Sequence, residues 1–60
     1  MKQALILIDE INRKKQAMRE TDSQYLKNDY SKQIHEDISE LRDYAGFRGL
    51  DFVDLMRRIK

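Results

Sequence analysis

Cysteine and proline are absent from this 60-residue chain, and glycine occurs only at positions 46 and 49. Without cysteine the chain can form neither a disulfide bond nor a thiolate metal site, which is typical of proteins from reducing compartments. A chain this short buries only about 60% of the surface that its unfolded state exposes, so its own core is small. We therefore expect a second copy or another protein to supply further buried surface.

Charge of one sign and long apolar runs are also scarce. The net charge is +1, too small to indicate a dedicated nucleic-acid-binding domain. The longest apolar run covers residues 4–8 and meets Asp9 and Glu10 at once. Such a run is too short for a signal-peptide core or a membrane span. We expect a soluble, cytoplasmic protein with no membrane partner.

Residues 21–45 contain the clearest periodic pattern in the chain. Their apolar residues recur at intervals of three or four and are Leu26, Tyr30, Ile34, Ile38, Leu41 and Ala45. This spacing is that of an amphipathic helix, which we predict over about residues 22–45. Gly46 follows at once, and glycine readily adopts the left-handed conformation that ends helices, so we predict that the helix stops there.

The first twenty residues predict another amphipathic helix, over about residues 3–19. Its apolar stripe consists of Ala4, Leu7, Ile8, Ile11 and Met18. Leu5 and Ile6 project to either side of this stripe, which leaves two interpretations. In the first interpretation, residues 3–8 form a short buried strand. In the second, the helix has another apolar side that contacts another chain. We favour the helix because residues 9–18 continue its period in phase.

The connections follow from residues that prefer caps and turns. Thr21 to Ser23 are typical of a helix start, and Gln24 completes a capping-box pattern with Thr21. Asn28-Asp29 is a competing position for this turn. Beyond Gly49, Asp51 is suited to begin a short third helix, predicted over about residues 51–59.

These elements predict an all-α fold in a single domain of residues 1–60, a long helical hairpin with a short C-terminal helix over its open end. We expect homo-oligomerisation, most simply a homodimer, to complete the fold. Apolar residues left outside the hairpin core are the candidates for the oligomer interface: Leu5, Ile6 and Val53.

Catalytic patterns are weak in this sequence. His35 has no ligands or carboxylates converging on it, and the acidic pairs at 9–10 and 36–37 are better explained as solvated helix faces. No nucleophile constellation or phosphate-binding glycine loop is present in the sequence. We predict a protein that is not an enzyme and has no cofactor or metal.

Aromatic and basic residues gather in the last third of the chain, where two interpretations compete. The aromatic residues Tyr44, Phe47 and Phe52 are expected to seal the core, since stacking platforms for nucleic acid need exposed rings. The alternative is a small DNA-binding transcriptional regulator that uses its C-terminal helix. The residues that would then contact phosphates are Arg48, Arg57, Arg58 and Lys60.

A row of acidic residues is the main functional candidate. These five residues, the acidic ridge, lie within roughly 60° of one another on a helix, away from its apolar stripe: Asp22, Asp29, Glu36, Glu40 and Asp43. An ordinary solvated face is one explanation; a binding surface for a basic partner is the other. We expect a small interaction protein that regulates or inhibits another protein, and the chain's size favours an accessory protein of a phage or mobile element acting on a host factor.

Overall fold

The computed structural model describes residues 2–60, which contain three α-helices and no strand: α1 (Lys2–Glu20), α2 (Gln24–Arg48) and α3 (Phe52–Met56). Helices α1 and α2 form a hairpin, and α3 packs near its open end. The predicted all-α hairpin with a short third helix is confirmed. The strand considered for residues 3–8 is wrong, because α1 runs through all of them.

The hydrophobic core lies toward the open end of the hairpin. Its buried side chains are all apolar, namely Ala4, Leu7, Ile8, Ile11, Ile34, Leu41, Ala45 and Leu55. No residue between Asn12 and Gln33 is buried. The prediction that Leu26 belongs to the core stripe is therefore wrong. Its side chain is 41% exposed, because at the closed end two helices meet without a third to cover them.

The first connection comprises Thr21, Asp22 and Ser23. Ser23 caps α2, and its Oγ accepts a hydrogen bond from the Leu26 N–H at 3.3 Å. The predicted capping box is wrong, because the Thr21 hydroxyl accepts instead from the Ser23 N–H. The competing turn at Asn28-Asp29 lies inside α2, so the choice of Thr21 to Ser23 is confirmed.

The C-terminal end of α2 lies three residues beyond the predicted one. Gly46 is helical, and Gly49 caps the helix in the left-handed conformation with φ of 70°. The N–H groups of Gly49 and Leu50 both donate to the carbonyl of Ala45. Leu50 also packs against the core, the apolar contact that usually accompanies such a cap. A stop at Gly46 would not place Leu50 in this position.

Helix α3 begins as predicted but ends early, at Met56 rather than near residue 59. Asp51 caps it by accepting hydrogen bonds from the Val53 and Asp54 N–H groups. After Met56 the chain is held on α1 by one side chain: Asn12 donates to the Arg58 carbonyl at 3.3 Å and accepts from the Lys60 N–H at 2.8 Å.

The hairpin has two unlike faces. Asn12 marks the side of α1 on which the C-terminal residues lie. Lys14 projects about 160° away from Asn12 around the helix and forms an ion pair with Asp37 of α2. We call the side on which Lys14 and Asp37 meet the uncovered face, because no element of residues 2–60 packs over it.

From Lys2 onward, none of the helices is both long enough and apolar enough to cross a membrane.

Candidate protein-interaction surface

Four members of the acidic ridge lie on α2 with exposed side chains: Asp29, Glu36, Glu40 and Asp43. Asp22 is also exposed, but it lies in the connection before α2. Its predicted place on the same helix is therefore wrong, because Ser23 rather than Thr21 caps α2.

The ridge carboxylates have few strong local partners. Asp29 accepts a hydrogen bond from the Gln33 amide at 2.8 Å. The Arg42 guanidinium lies 3.8 Å from the Asp43 carboxylate, with both side chains largely exposed, a pair that contributes little to stability. Glu36 and Glu40 are one turn apart and repel each other weakly. The ridge thus concentrates like charge without an evident gain in folding stability.

Phe47 stands at the C-terminal end of the ridge. Its side chain is 87% exposed, so the prediction that Phe47 seals the core is wrong. Because α2 continues through Gly46, Phe47 falls roughly 20° from Glu40 and 40° from Asp43 around the helix. The spacing of Phe47 from Leu41 and Ala45 could have revealed this, since it is out of phase with the apolar stripe.

The other two aromatic residues of this region pack differently from Phe47. Tyr44 and Phe52 are partly buried against the core. The Arg48 guanidinium lies 5.7 Å from the centroid of the Tyr44 ring, within the range of a cation–π contact. The C-terminal end of α2 thus combines an exposed ring, a half-buried ring and charges of both signs.

Lys14 and Asp37 form a cross-helix ion pair, with Nζ 2.6 Å from Oδ2 and side chains 26% and 14% exposed. The hydrogen bond from Lys14 to Asp37 is the main cause that raises the pKa of Lys14 above its ordinary value, against the opposing effect of burial. Asp37 was expected on a solvated face. That expectation is wrong, because α2 turns Asp37 toward α1, and single-helix periodicity does not show the facing Lys14.

Removing this pair is expected to lower the free energy of unfolding by about 1 kcal/mol at neutral pH. Because folding raises the pKa of Lys14, the pair stabilises the native state below the ordinary lysine pKa and loses that contribution as pH rises through the raised value. Urea unfolding of wild type and Asp37→Asn between pH 7 and pH 11 measures both effects. The difference should shrink at the alkaline end; a difference independent of pH would contradict this assignment.

The residues predicted for the oligomer interface are all exposed: Leu5 and Ile6 by 44% each and Val53 by 60%. Leu5 projects about 20° from Asn12, on the side of the C-terminal residues. Ile6 lies about 80° from Lys14, toward the uncovered face. Val53 lies on α3. A shared interface for these three residues stays a prediction.

The remaining candidate groups are dispersed. His35 is exposed, and Asp9 pairs with Arg13 at 3.0 Å on the outside of α1. Among the described residues, no three His, Cys, Asp or Glu side chains converge as metal ligands. The basic residues of the DNA-binding alternative are all exposed: Arg48, Arg57, Arg58 and Lys60. Since α3 ends at Met56, the last three of them lie beyond it.

Comparison of the chain with protein-family models, with curated proteins and with solved structures gives no match. Function is therefore inferred from the surfaces described above.

Proposed function

We propose that this chain is a small non-enzymatic protein that acts by binding another protein through the acidic ridge. The observation that supports this most strongly is the juxtaposition of the ridge with Phe47 on one exposed side of α2. Carboxylates steer a basic partner and restrict its orientation, while an aromatic side chain supplies most of the contact energy once it is buried. A preformed helix also loses little conformational entropy when it binds.

Self-association is the second part of the proposal. Among residues 2–60, six large apolar side chains are at least 40% exposed: Leu5, Ile6, Tyr25, Leu26, Phe47 and Val53. A small core surrounded by so much exposed apolar surface gains stability when a second copy covers part of it. We propose a homodimer that regulates or inhibits its partner, as an accessory protein of a phage or mobile element would do to a host factor.

The ridge assignment predicts a selective loss of partner binding. The triple variant Glu36→Gln, Glu40→Gln, Asp43→Asn should retain at least tenfold less of any specific partner than wild type, because it removes the charge that orients that partner. Quantitative affinity capture from lysate of the cell that encodes the chain measures this. The matched control, Glu10→Gln, Glu20→Gln, Asp54→Asn, removes three exposed carboxylates outside the ridge and should bind like wild type. Equal retention by both variants would contradict the ridge as the binding surface.

The DNA-binding alternative is separated from this proposal by one titration. Wild type should not bind a labelled random-sequence duplex at micromolar concentration in low salt, because the exposed basic groups at the C-terminus are few. Binding that weakens steeply with salt and is lost in Arg57→Gln, Arg58→Gln would favour the alternative and contradict the protein-binding proposal.

A further inference from the structure

We propose that residues 50–60 form a strap over the hairpin that opens as one unit while α1 and α2 stay folded, and that Asn12 is its latch. We call these residues the C-terminal strap. Opening uncovers the apolar side chains that the two helices turn toward the strap, so the latch determines how often that apolar surface is accessible. This inference goes beyond the proposed function and depends neither on the acidic ridge nor on self-association.

Asn12 holds the strap through both ends of its side-chain amide. Its Nδ2 donates to the Arg58 carbonyl at 3.3 Å, and its Oδ1 accepts from the Lys60 N–H at 2.8 Å. The two partners are 46 and 48 positions away in the chain. Asparagine carries a donor and an acceptor on one short side chain. It therefore pairs with the strap backbone on both sides of the same amide group.

Few other polar contacts connect the strap to the hairpin. In residues 2–60, the one remaining hydrogen bond between them runs from the Leu50 N–H to the Ala45 carbonyl, at the point where the strap begins. None of the ion pairs in this part of the chain includes a strap residue. The other backbone hydrogen bonds of the strap lie within it. Release of Asn12 thus leaves apolar packing as the main attachment.

The apolar attachment of the strap is also limited. Leu55 is its one buried side chain, and three more are partly buried against the core: Leu50, Phe52 and Ile59. The other seven buried side chains between Lys2 and Lys60 belong to α1 and α2. A segment with few buried contacts and exposed hydrogen bonds opens at a lower free energy than the rest of a fold. We therefore expect the strap to open more often than the hairpin unfolds.

The strap should open as a unit rather than residue by residue. Helix α3 has five residues, fewer than the dozen or so that an isolated helix needs to be even marginally stable in water. Once Leu55 leaves the core, α3 is too short to persist, and its hydrogen bonds break together. Residues 49–51 are not helical. The strap can therefore swing away there while the hydrogen bonds within α2 remain.

The hairpin keeps stabilising contacts of its own when the strap is open. The Lys14–Asp37 ion pair joins α1 to α2 on the uncovered face, away from the strap. Ser23 still caps α2 at the closed end. Opening and global unfolding are then two separate steps. A substitution that weakens a contact within the hairpin lowers the free energy of global unfolding but not that of opening.

Native-state hydrogen exchange of single amides measures both steps. The N–H groups of Leu55 and Ile59 are hydrogen-bonded within the strap. In wild type they should exchange about tenfold faster or more than those of Ile11 and Leu41, relative to the rates of an unfolded chain. Asn12→Ala should speed exchange in the strap by a further factor of about ten, because it removes two hydrogen bonds. This variant should fold, since alanine favours a helix more than asparagine does.

The matched control is Asp37→Asn, which removes a contact within the hairpin. Exchange at Ile11 and Leu41 should become about fivefold faster than in wild type, because global unfolding becomes easier. Exchange at Leu55 and Ile59 should stay within about twofold of wild type, since the ion pair is intact in both the closed and the open form of the unsubstituted chain.

The possible results are distinct. If Asp37→Asn speeds exchange equally in the strap and in the hairpin, the chain unfolds in one step and independent opening is overturned. If Asn12→Ala leaves exchange in the strap unchanged, Asn12 is not the latch. Neither measurement needs a binding partner, so failure of this inference and failure of the ridge proposal are observed separately.

Discussion

Leu41→Ala is expected to cost about 2–5 kcal/mol of unfolding free energy, the range for truncating a fully buried leucine. Leu41 is one of the largest fully buried side chains, together with Ile11 and Leu55. A chain of this length is stable by only about 3–9 kcal/mol. From Lys2 to Lys60 only eight side chains are buried, so the cavity has few neighbours that can relax into it. We expect a large fraction of Leu41→Ala to be unfolded at 25 °C.

The matched control for this prediction is Leu5→Ala, the same truncation at a half-exposed leucine. It should cost less than about 1 kcal/mol, because little apolar surface returns to water. Urea unfolding followed by circular dichroism compares both variants with wild type. A Leu41→Ala variant as stable as Leu5→Ala would contradict the position of the core at the open end of the hairpin.

The spacing of apolar residues predicted α1 well, because that spacing alone determines which side of the helix is buried. Ala4, Leu7, Ile8 and Ile11 recur at helical spacing and are all buried. The same reasoning placed Leu26 in the core, and that prediction is wrong because Leu26 is exposed. Periodicity identifies the side of a helix that faces inward, but not how far along the helix a third element covers it. That depends on α3, whose tail extends along α1 to Asn12.

The candidate site was predictable in part for a similar reason. The acidic ridge follows from intervals within one helix, and four of its five residues lie together as expected. The Lys14–Asp37 pair joins residues 23 positions apart on two different helices. The residue spacing within one helix does not show which residue of the other helix it contacts. The position of Phe47 depended on which of two glycines ends α2, a choice that local propensity leaves open.

That choice gives the last prediction, because Gly46 and Gly49 should respond to the same substitution with opposite signs. Gly46 is an exposed helical residue, and an added Cβ would meet no atom within 4 Å. Gly46→Ala should therefore stabilise the chain by about 0.5–1 kcal/mol, since alanine loses less backbone entropy in a helix. Gly49 has φ of +70°, where a Cβ crowds the following carbonyl. Gly49→Ala should destabilise the chain by about 1–2 kcal/mol.

The difference between the two variants, about 2 kcal/mol or more, corresponds to a shift of several degrees in the unfolding temperature of a domain this small. Thermal unfolding followed by circular dichroism measures it without knowledge of any partner. If α2 ended at Gly46, the signs would be reversed, and Phe47 would leave the acidic ridge. Opposite responses at two glycines three residues apart therefore test both the end of the helix and the surface that depends on it.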